Sequence, residues 1–321
     1  MFQKNNQALT NDLNRSLRQI ATGKITDRYG DLGPDAAQAI KSRAEISRRE
    51  TYTRISQDFV SRQKTADAAS QAIEARLTDI TAKTLGSLTP GSTVDISHEA
   101  KLAFDEIVSL LNTASGDTHV FGGSDPNNPP IRSEEAAAFL NEAGIRMARD
   151  GASAYRSLSS IPAFETMLNP AALGRVPETR IDDHVAVRPY MAGARPEVAA
   201  VLRGLAALAG TSGSSASQTA TADNQGAERA AIIKLADKDI RAGLSVIRTS
   251  AALDASTTMR VEGAIDRHGT FIAAEKIRLS RTEDVDMAGA IATLESVRQR
   301  RELLWKVFSE TSRLSLMKFL D

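Results

Sequence analysis

The chain of 321 residues is long enough for two or three folding units with cores of ordinary size. Its 40 Lys and Arg cancel 40 Asp and Glu, which excludes a generalised electrostatic grip on nucleic acid or an anionic membrane. Cysteine is absent, so disulfides, thiolate metal sites and cysteine nucleophiles are excluded, and four histidines remain for metal or general-base work.

Hydrophobic residues make up 41% of the chain and aromatics only 4%, so cores must be built from Leu, Ile, Val and Ala, which suits packed helices better than sandwiches. No apolar run approaches the roughly 20 residues that would span a bilayer. The start Met1-Phe2-Gln3-Lys4-Asn5-Asn6 lacks the apolar core of a cleavable signal peptide, so any export is expected to use another route. Eight of the ten prolines fall between Pro126 and Pro196. Proline removes a donor and clashes with the preceding turn, so two long helix-permissive arms are expected around an irregular middle.

In chain order, Leu9, Leu13, Leu17 and Ile20 recur at spacings of four and three and predict one apolar stripe of a first helix. Gly23 and the segment Tyr29 to Pro34 interrupt it, and Pro34 fits the first turn of a second helix. From Asp35 to about Leu85 a thin near-heptad stripe follows Ile40, Ala44, Ser47, Thr51, Ile55, Arg62, Ala69, Ile73, Leu77 and Ile80. At 1.5 Å per residue that helix would be about 75 Å long. A shorter helix is expected from Ser97 to Ala114.

The middle opens at His119-Val120-Phe121-Gly122-Gly123 and continues with turn-forming residues. A helix is predicted from about Glu134 to Ala148 with Ser133 as N-cap, strand-like pattern from Val176 to Met191, and a helix from Glu197 to Leu208. The small polar tract from Gly210 to Gly226 is expected to be a mobile surface loop. The second arm carries Ile232, Leu235, Ile240, Leu244, Ile247, Leu253, Met259, Val261, Ile265, Ile272 and Ile277. Ser280-Arg281-Thr282-Glu283 has the form of a capping box and is expected to open a last helix, with Asp284 and Asp286 favourable at its start. That helix keeps an apolar stripe through Val285, Ile291, Leu294, Val297, Leu304, Val307, Phe308, Leu314, Met317 and Leu320.

An apolar stripe maintained to the chain end needs a cover, because exposure costs roughly 25 cal/mol per Å². The N-terminal stripe is the obvious one, and two facing helices still leave outer flanks for neighbours of the same kind. The fold expected is mainly α: a long antiparallel helical coiled coil or bundle formed by the N- and C-terminal arms, with an irregular α+β insert. Its expected segments are 1–33, the N-terminal helix of a terminal coiled-coil domain; 34–118, the N-terminal part of a helical rod; 119–225, a variable insert; 226–281, the C-terminal part of the rod; and 282–321, the C-terminal helix of the terminal domain. The expected assembly interface is Leu9, Leu13, Leu17, Ile20, Ile291, Leu294, Val297, Leu304, Phe308, Leu314, Met317 and Leu320.

The run from Leu13 to Lys24, in which a Leu-rich helix ends at Thr22-Gly23-Lys24, resembles the signature of the bacterial flagellin family. Asp31-Leu32-Gly33-Pro34-Asp35-Ala36-Ala37 is similar to that family's Asp-Asp-Pro-Ala element, and Glu283 to Ala288 with the ending Ser312 to Leu320 extends the resemblance over both arms. His119-Val120-Phe121-Gly122-Gly123 and the Leu-Ser-Leu-x-x-x-Leu ending are more similar to its hook-filament junction branch than to filament flagellin. Ile25-Thr26-Asp27-Arg28-Tyr29 departs from the family's usual Arg-Ile-Asn run.

The resemblance implies a non-enzymatic building block of the bacterial flagellum, exported through the type III flagellar channel without signal cleavage and located outside the cell. It implies terminal helices that order on assembly into a ring or helical array of copies. The implied partners are flagellin, a hook-side junction protein and an export chaperone on the C-terminal helix, with no nucleic acid and no membrane insertion. Filament flagellin is the neighbouring alternative, and a cytoplasmic coiled-coil adaptor also fits the near-heptad stripes and zero net charge. No catalytic, cofactor or metal residues are expected. His98-Glu99, Asp182-Asp183-His184 and His268 lack a second half for zinc, Glu283 to Asp286 lacks a calcium loop, and Phe121-Gly122-Gly123 lacks the Lys-Ser/Thr of a phosphate cradle. Arg298, Arg300 and Arg301 beside Glu295 and Glu302 are expected to form a solvated, partly paired helix face.

Overall fold

The computed structural model describes residues 2–26, 33–88, 95–173, 176–189, 193, 195–213 and 222–317. Among them the fold is mainly helical: α1 (Phe2–Thr22), α2 (Ala36–Gly86), α3 (Ile96–Leu111), α4 (Ser133–Asp150), α5 (Pro162–Met167), α6 (Pro196–Ala209), α7 (Ala222–Glu283) and α8 (Met287–Met317). Two antiparallel ribbons complete it, β1 (Ala114–Ser115) with β2 (Thr118–His119) and β3 (Thr179–Asp182) with β4 (Val185–Val187). The chain divides into two compact units, Met1–Thr51 with Arg267–Asp321, and Tyr52–Asp266.

In the unit of Tyr52–Asp266, α3 packs on α6 and α4 packs on both α5 and α6. α6 is buried on nearly every side from Val198 to Leu208, as a helix that is apolar all round must be. Phe104 of α3, Phe139 of α4 and Phe164 of α5 stack in a tilted row, with ring centres 6.4 and 5.0 Å apart. Ile232, Ile233, Ala236, Ile240 and Ile247 of α7 join the same core. Asp95 opens α3 by accepting the Ser97 and His98 N–H groups at 3.2 and 3.3 Å, and those bonds, His98 first, hold its carboxyl below the ordinary range. Tyr155 donates to Asp239 at 2.7 Å, and burial followed by that carboxylate pushes its phenol well above the usual value. A second, smaller core joins Phe59 and Val60 of α2, Ile181 and Val187 of the β3–β4 ribbon, and Val261 and Ala264 of α7. In that ribbon Thr179 lies opposite Val187 and Arg180 opposite Ala186.

The unit of the chain ends contains α1, the start of α2, the end of α7 and α8, with α1 packed on α8. Its interior along α2 and α7 mixes buried Ala39 and Ile46 with polar groups. Buried Ser42 donates to buried Glu275 at 2.7 Å, Arg49 Nη1 lies 3.3 Å from His268 Nδ1, and the Arg49 guanidinium sits 5.0 Å over the Phe271 ring.

Several sequence expectations are corrected. The α2 stripe holds from Ala69 to Ile80, but Ile40, Ala44, Ser47, Thr51, Ile55 and Arg62 are exposed, while Ser42, Ser56, Gln63 and Ser70 are buried at multiples of seven residues. Likewise Leu253, Met259 and Ile277 of α7 face water, and Asp254, Val261, His268 and Glu275 are buried at steps of seven. The buried seams are mixed, with Ala39, Ile46 and Val60 on α2 and Val261 and Ala264 on α7 buried among these polar residues, so a stripe drawn through Ile40, Ala44 and Ile55 runs beside the seam and not along it. Ser133 does not cap α4. Arg132 precedes the helix, its N–H bound to Met167 C=O at 2.8 Å and its C=O accepting from Ala136 at 2.9 Å, so the local bridge sets the start. Residues 222–226 of the expected loop are helical, Gly210–Gly213 is a 3-10 turn, and 214–221 lie outside the described residues. Ser280 to Glu283 is the end of α7 and opens no helix; Asp286 caps α8 by accepting the Ala288 N–H at 3.1 Å.

Candidate functional site

The sequence places the candidate interface on α1 and α8, and helical spacing decides which of its side chains meet. Leu9, Leu13 and Ile20 of α1 are half-buried, Leu17 is exposed, and the small hydroxyl of Ser16 is buried among them. On α8, Ala290, Leu294 and Val297 are buried at steps of four and three, and Leu304 is half-buried. These residues form the contact face within the chain. Leu314 and Met317 belong to α8 by backbone, and Leu320 lies outside the described residues.

Toward its C-terminal half α8 leaves large apolar side chains in water on several sides of the helix. Ile291 is exposed, and toward the C-terminal half Leu303 is 62% exposed, Trp305 50%, Val307 58% and Phe308 42%. Trp305 and Phe308 meet edge to face at 6.3 Å between ring centres. Four large apolar side chains within six residues form a patch of the kind that marks an interaction surface. Leu303 and Trp305 were outside the predicted interface because they fall off the stripe continuing from Leu294 and Val297. Their signal is the density of large residues in Leu303-Leu304-Trp305 and Val307-Phe308.

The breaks between α1 and α2 and between α7 and α8 are fastened to each other. Gly23 ends α1 at φ +69, a left-handed conformation that suits glycine, and its N–H returns to Gln19 C=O at 2.8 Å. Two antiparallel backbone bonds follow, Ile25 N–H to Glu283 C=O at 2.7 Å and Val285 N–H to Gly23 C=O at 2.9 Å. Gln19 Nε2 donates to Ile25 C=O at 2.9 Å. The buried Glu283 carboxylate accepts from Arg43 through both Nε, at 3.0 Å, and Nη2, and lies 3.7 Å from Lys24 Nζ. Lys24 also pairs with Asp284, which accepts the Ser280 hydroxyl; Lys24 first and Ser280 second hold the Asp284 carboxyl below its ordinary range. Thr22-Gly23-Lys24 and Glu283-Asp284 stand out separately in the sequence, but no local pattern reveals that they pair across 260 residues.

The polar groups weighed as metal or acid-base sites stay apart. His98 lies in the first turn of α3, Asp183 accepts the Tyr52 hydroxyl at 3.0 Å, and His268 meets Arg49. Among the described residues no three His, Asp or Glu side chains are placed to hold a metal ion. Phe121 is buried and Gly123 turns at φ +62 against the Ala172 carbonyl, 2.5 Å from where a Cβ would stand. Arg298, Arg300 and Arg301 make no ion pair among the described residues, which corrects the partly paired face expected of them. Among those residues no helix is long and apolar enough to cross a membrane. No protein-family model matches the chain, and a search of curated proteins finds no matching relative.

Proposed function

We propose that this chain is a structural subunit of the bacterial flagellum, a hook-filament junction protein that assembles through its terminal helices. The observation that carries the proposal is the exposed C-terminal half of α8, where Leu303, Trp305, Val307 and Phe308 stand in water around the helix although α8 already packs on α1. Exposed apolar side chains at that density are unfavourable in an isolated chain and become favourable when copies stand side by side. Position strengthens the proposal, since the Leu13 to Lys24 and Glu283 to Ala288 segments that resemble the flagellin family run along α1 and through the breaks beside α1 and α8.

On this proposal the N- and C-terminal arms form a long antiparallel helical coiled coil, copies of the chain make a ring or helical array, and the segment 119–225 is the insert. Flagellin lies on one side and a hook-side junction protein on the other. An export chaperone covers the C-terminal helix before secretion through the type III flagellar channel. The role is mechanical, without catalysis.

Labelled antibody on isolated flagella tests the assignment. A narrow band between hook and filament is the expected result, and label along the whole filament would make the chain a flagellin. Absence of the protein from flagella and from the medium would overturn the flagellar assignment and favour a cytoplasmic adaptor.

A further inference from the structure

The His119 to Gly123 segment lines a cavity of about 110 Å³ in the unit of Tyr52–Asp266, closed from the side of α2 by Phe59, Arg62 and Gln63. Gln63 is only 3% exposed, and its Nε2 has no hydrogen-bond partner. A buried amide nitrogen left without an acceptor is costly, so its presence beside a cavity points to an acceptor from outside the chain. Arg62, next to it in sequence, is exposed and makes no ion pair among the described residues. His119 is fixed by a 2.8 Å contact between Nδ1 and the Asn112 carbonyl; since a carbonyl only accepts, the ring proton sits on Nδ1.

The described lining contains no carboxylate, so its charge is positive. Apart from Thr179, much of the rest is apolar and stiff, with Phe59, Val120 and the rings of Pro126, Pro177 and Pro189. Proline walls lose little conformational freedom when a ligand arrives, which favours a preformed pocket. A short carboxylic acid anion matches both halves: its oxygens accept from the Gln63 amide and the Arg62 guanidinium, and its hydrocarbon chain rests on the prolines and Phe59. Phosphate and sulfate have more lone pairs to satisfy and no apolar part to bury.

We infer that this cavity is a binding site for a small monocarboxylate anion, distinct from the assembly contacts of the terminal helices. The test titrates the full-length chain with acetate, propionate, butyrate and hexanoate at constant ionic strength, by saturation-transfer NMR and calorimetry, with acetamide as the uncharged control. Saturable binding of propionate or butyrate at about 1 mM is expected, the affinity appropriate to so few atoms. Hexanoate exceeds the cavity and acetamide lacks the charge, so both should bind more weakly. Gln63→Leu and Arg62→Gln should each weaken propionate about tenfold.

Gln63→Leu should also keep or raise the melting temperature of the ligand-free protein, because it removes an unsatisfied amide, and this separates lost binding from lost folding. Absence of saturable binding, equal binding by both variants, or acetamide binding as well as propionate would overturn the site. A lowered melting temperature in Gln63→Leu would do so too, by showing that the amide is satisfied within the chain. Antibody labelling of flagella reads the proposed assembly role independently, so either proposal can fail alone.

Discussion

Both apolar cores lie in the unit of Tyr52–Asp266, whereas the unit of the chain ends buries Ser16, Ser42, His268, Glu275 and Glu283 alongside a few apolar residues and leaves Ile40, Leu303, Trp305 and Val307 in water. The first arrangement holds itself together by removing apolar surface from water. In the second, buried charges offset much of what the few apolar contacts contribute, since desolvating an ion costs several kcal/mol before its partner returns any of it. A unit built this way has its apolar surface available for other copies, and association then adds stability by mass action. The contrast makes the two units respond differently to matched substitutions.

The largest difference should come from aromatic truncation. Phe139→Ala removes a fully buried ring stacked on Phe104 and Phe164 and should cost about 3–5 kcal/mol in urea denaturation. Phe308→Ala, at an exposed position, should change the dilute monomer by no more than about 0.5 kcal/mol while impairing polymerisation in a sedimentation assay. An equal loss of monomer stability for the two would show that the α8 face is already covered within the chain.

Two glycines offer the next largest contrast. Both are left-handed, Gly23 at φ +69 and Gly123 at φ +62, so alanine at either costs about 1–2 kcal/mol from conformation. Around Gly23 a Cβ meets nothing within 4 Å, but at Gly123 it meets the Ala172 carbonyl oxygen at 2.5 Å, which forces the turn to move. Gly123→Ala should therefore lose about 1–3 kcal/mol more than Gly23→Ala by thermal melting. Equal losses would show that the 119–123 turn yields freely.

Glu283→Gln probes the clasp. The carboxylate is buried, but Arg43 and Lys24 are 49% and 39% exposed and regain water when it is neutralised, so the cost should be about 1–2 kcal/mol, well short of a fully buried pair. The loss should appear as faster amide exchange at Ile25 and Val285 with α3, α4 and α6 unchanged. Faster exchange in those three helices would contradict two separately stabilised units.

Helix existence was legible in the sequence because Leu, Ile and Val at three- and four-residue steps, and the clustering of proline from Pro126 to Pro196, are local signals. α6 departs from its expected bounds by one residue at each end, and α2 likewise runs from Ala36 to Gly86. The buried face of α2 was legible only from Ala69 onward. Before that the seam mixes buried Ala39, Ile46 and Val60 with Ser42, Ser56 and Gln63, and hydrophobicity identifies only part of a seam that is half polar. Of the candidate interface, Leu294 and Val297 could be read from spacing, but their division into an inner face and an outer face could not, because it depends on where α1 lies. The clasp was illegible for the same reason: Lys24 and Glu283 acquire meaning only once the chain brings them together.

The smallest effect is also the one that separates the units by chemistry. Asp95 in one unit and Asp284 in the other are both held below the ordinary carboxyl range, so each contributes stability that is complete above the unfolded value of about 3.9 and is lost as pH falls through its lower folded value. Their causes differ. Asp95 is held by the His98 and Ser97 N–H groups and the Ser97 hydroxyl, which salt does not screen, whereas the first cause at Asp284 is the solvent-exposed Lys24 ammonium. At about 1 M salt, where the screening length is about 3 Å, the acid step followed by NMR at Ile25 and Val285 should shrink toward the ordinary carboxyl range. The step followed at Ser97 and His98 should stay in place. Asp284→Asn should abolish the first step and leave the second, and a salt response shared by both would mean that Lys24 does not set the Asp284 titration.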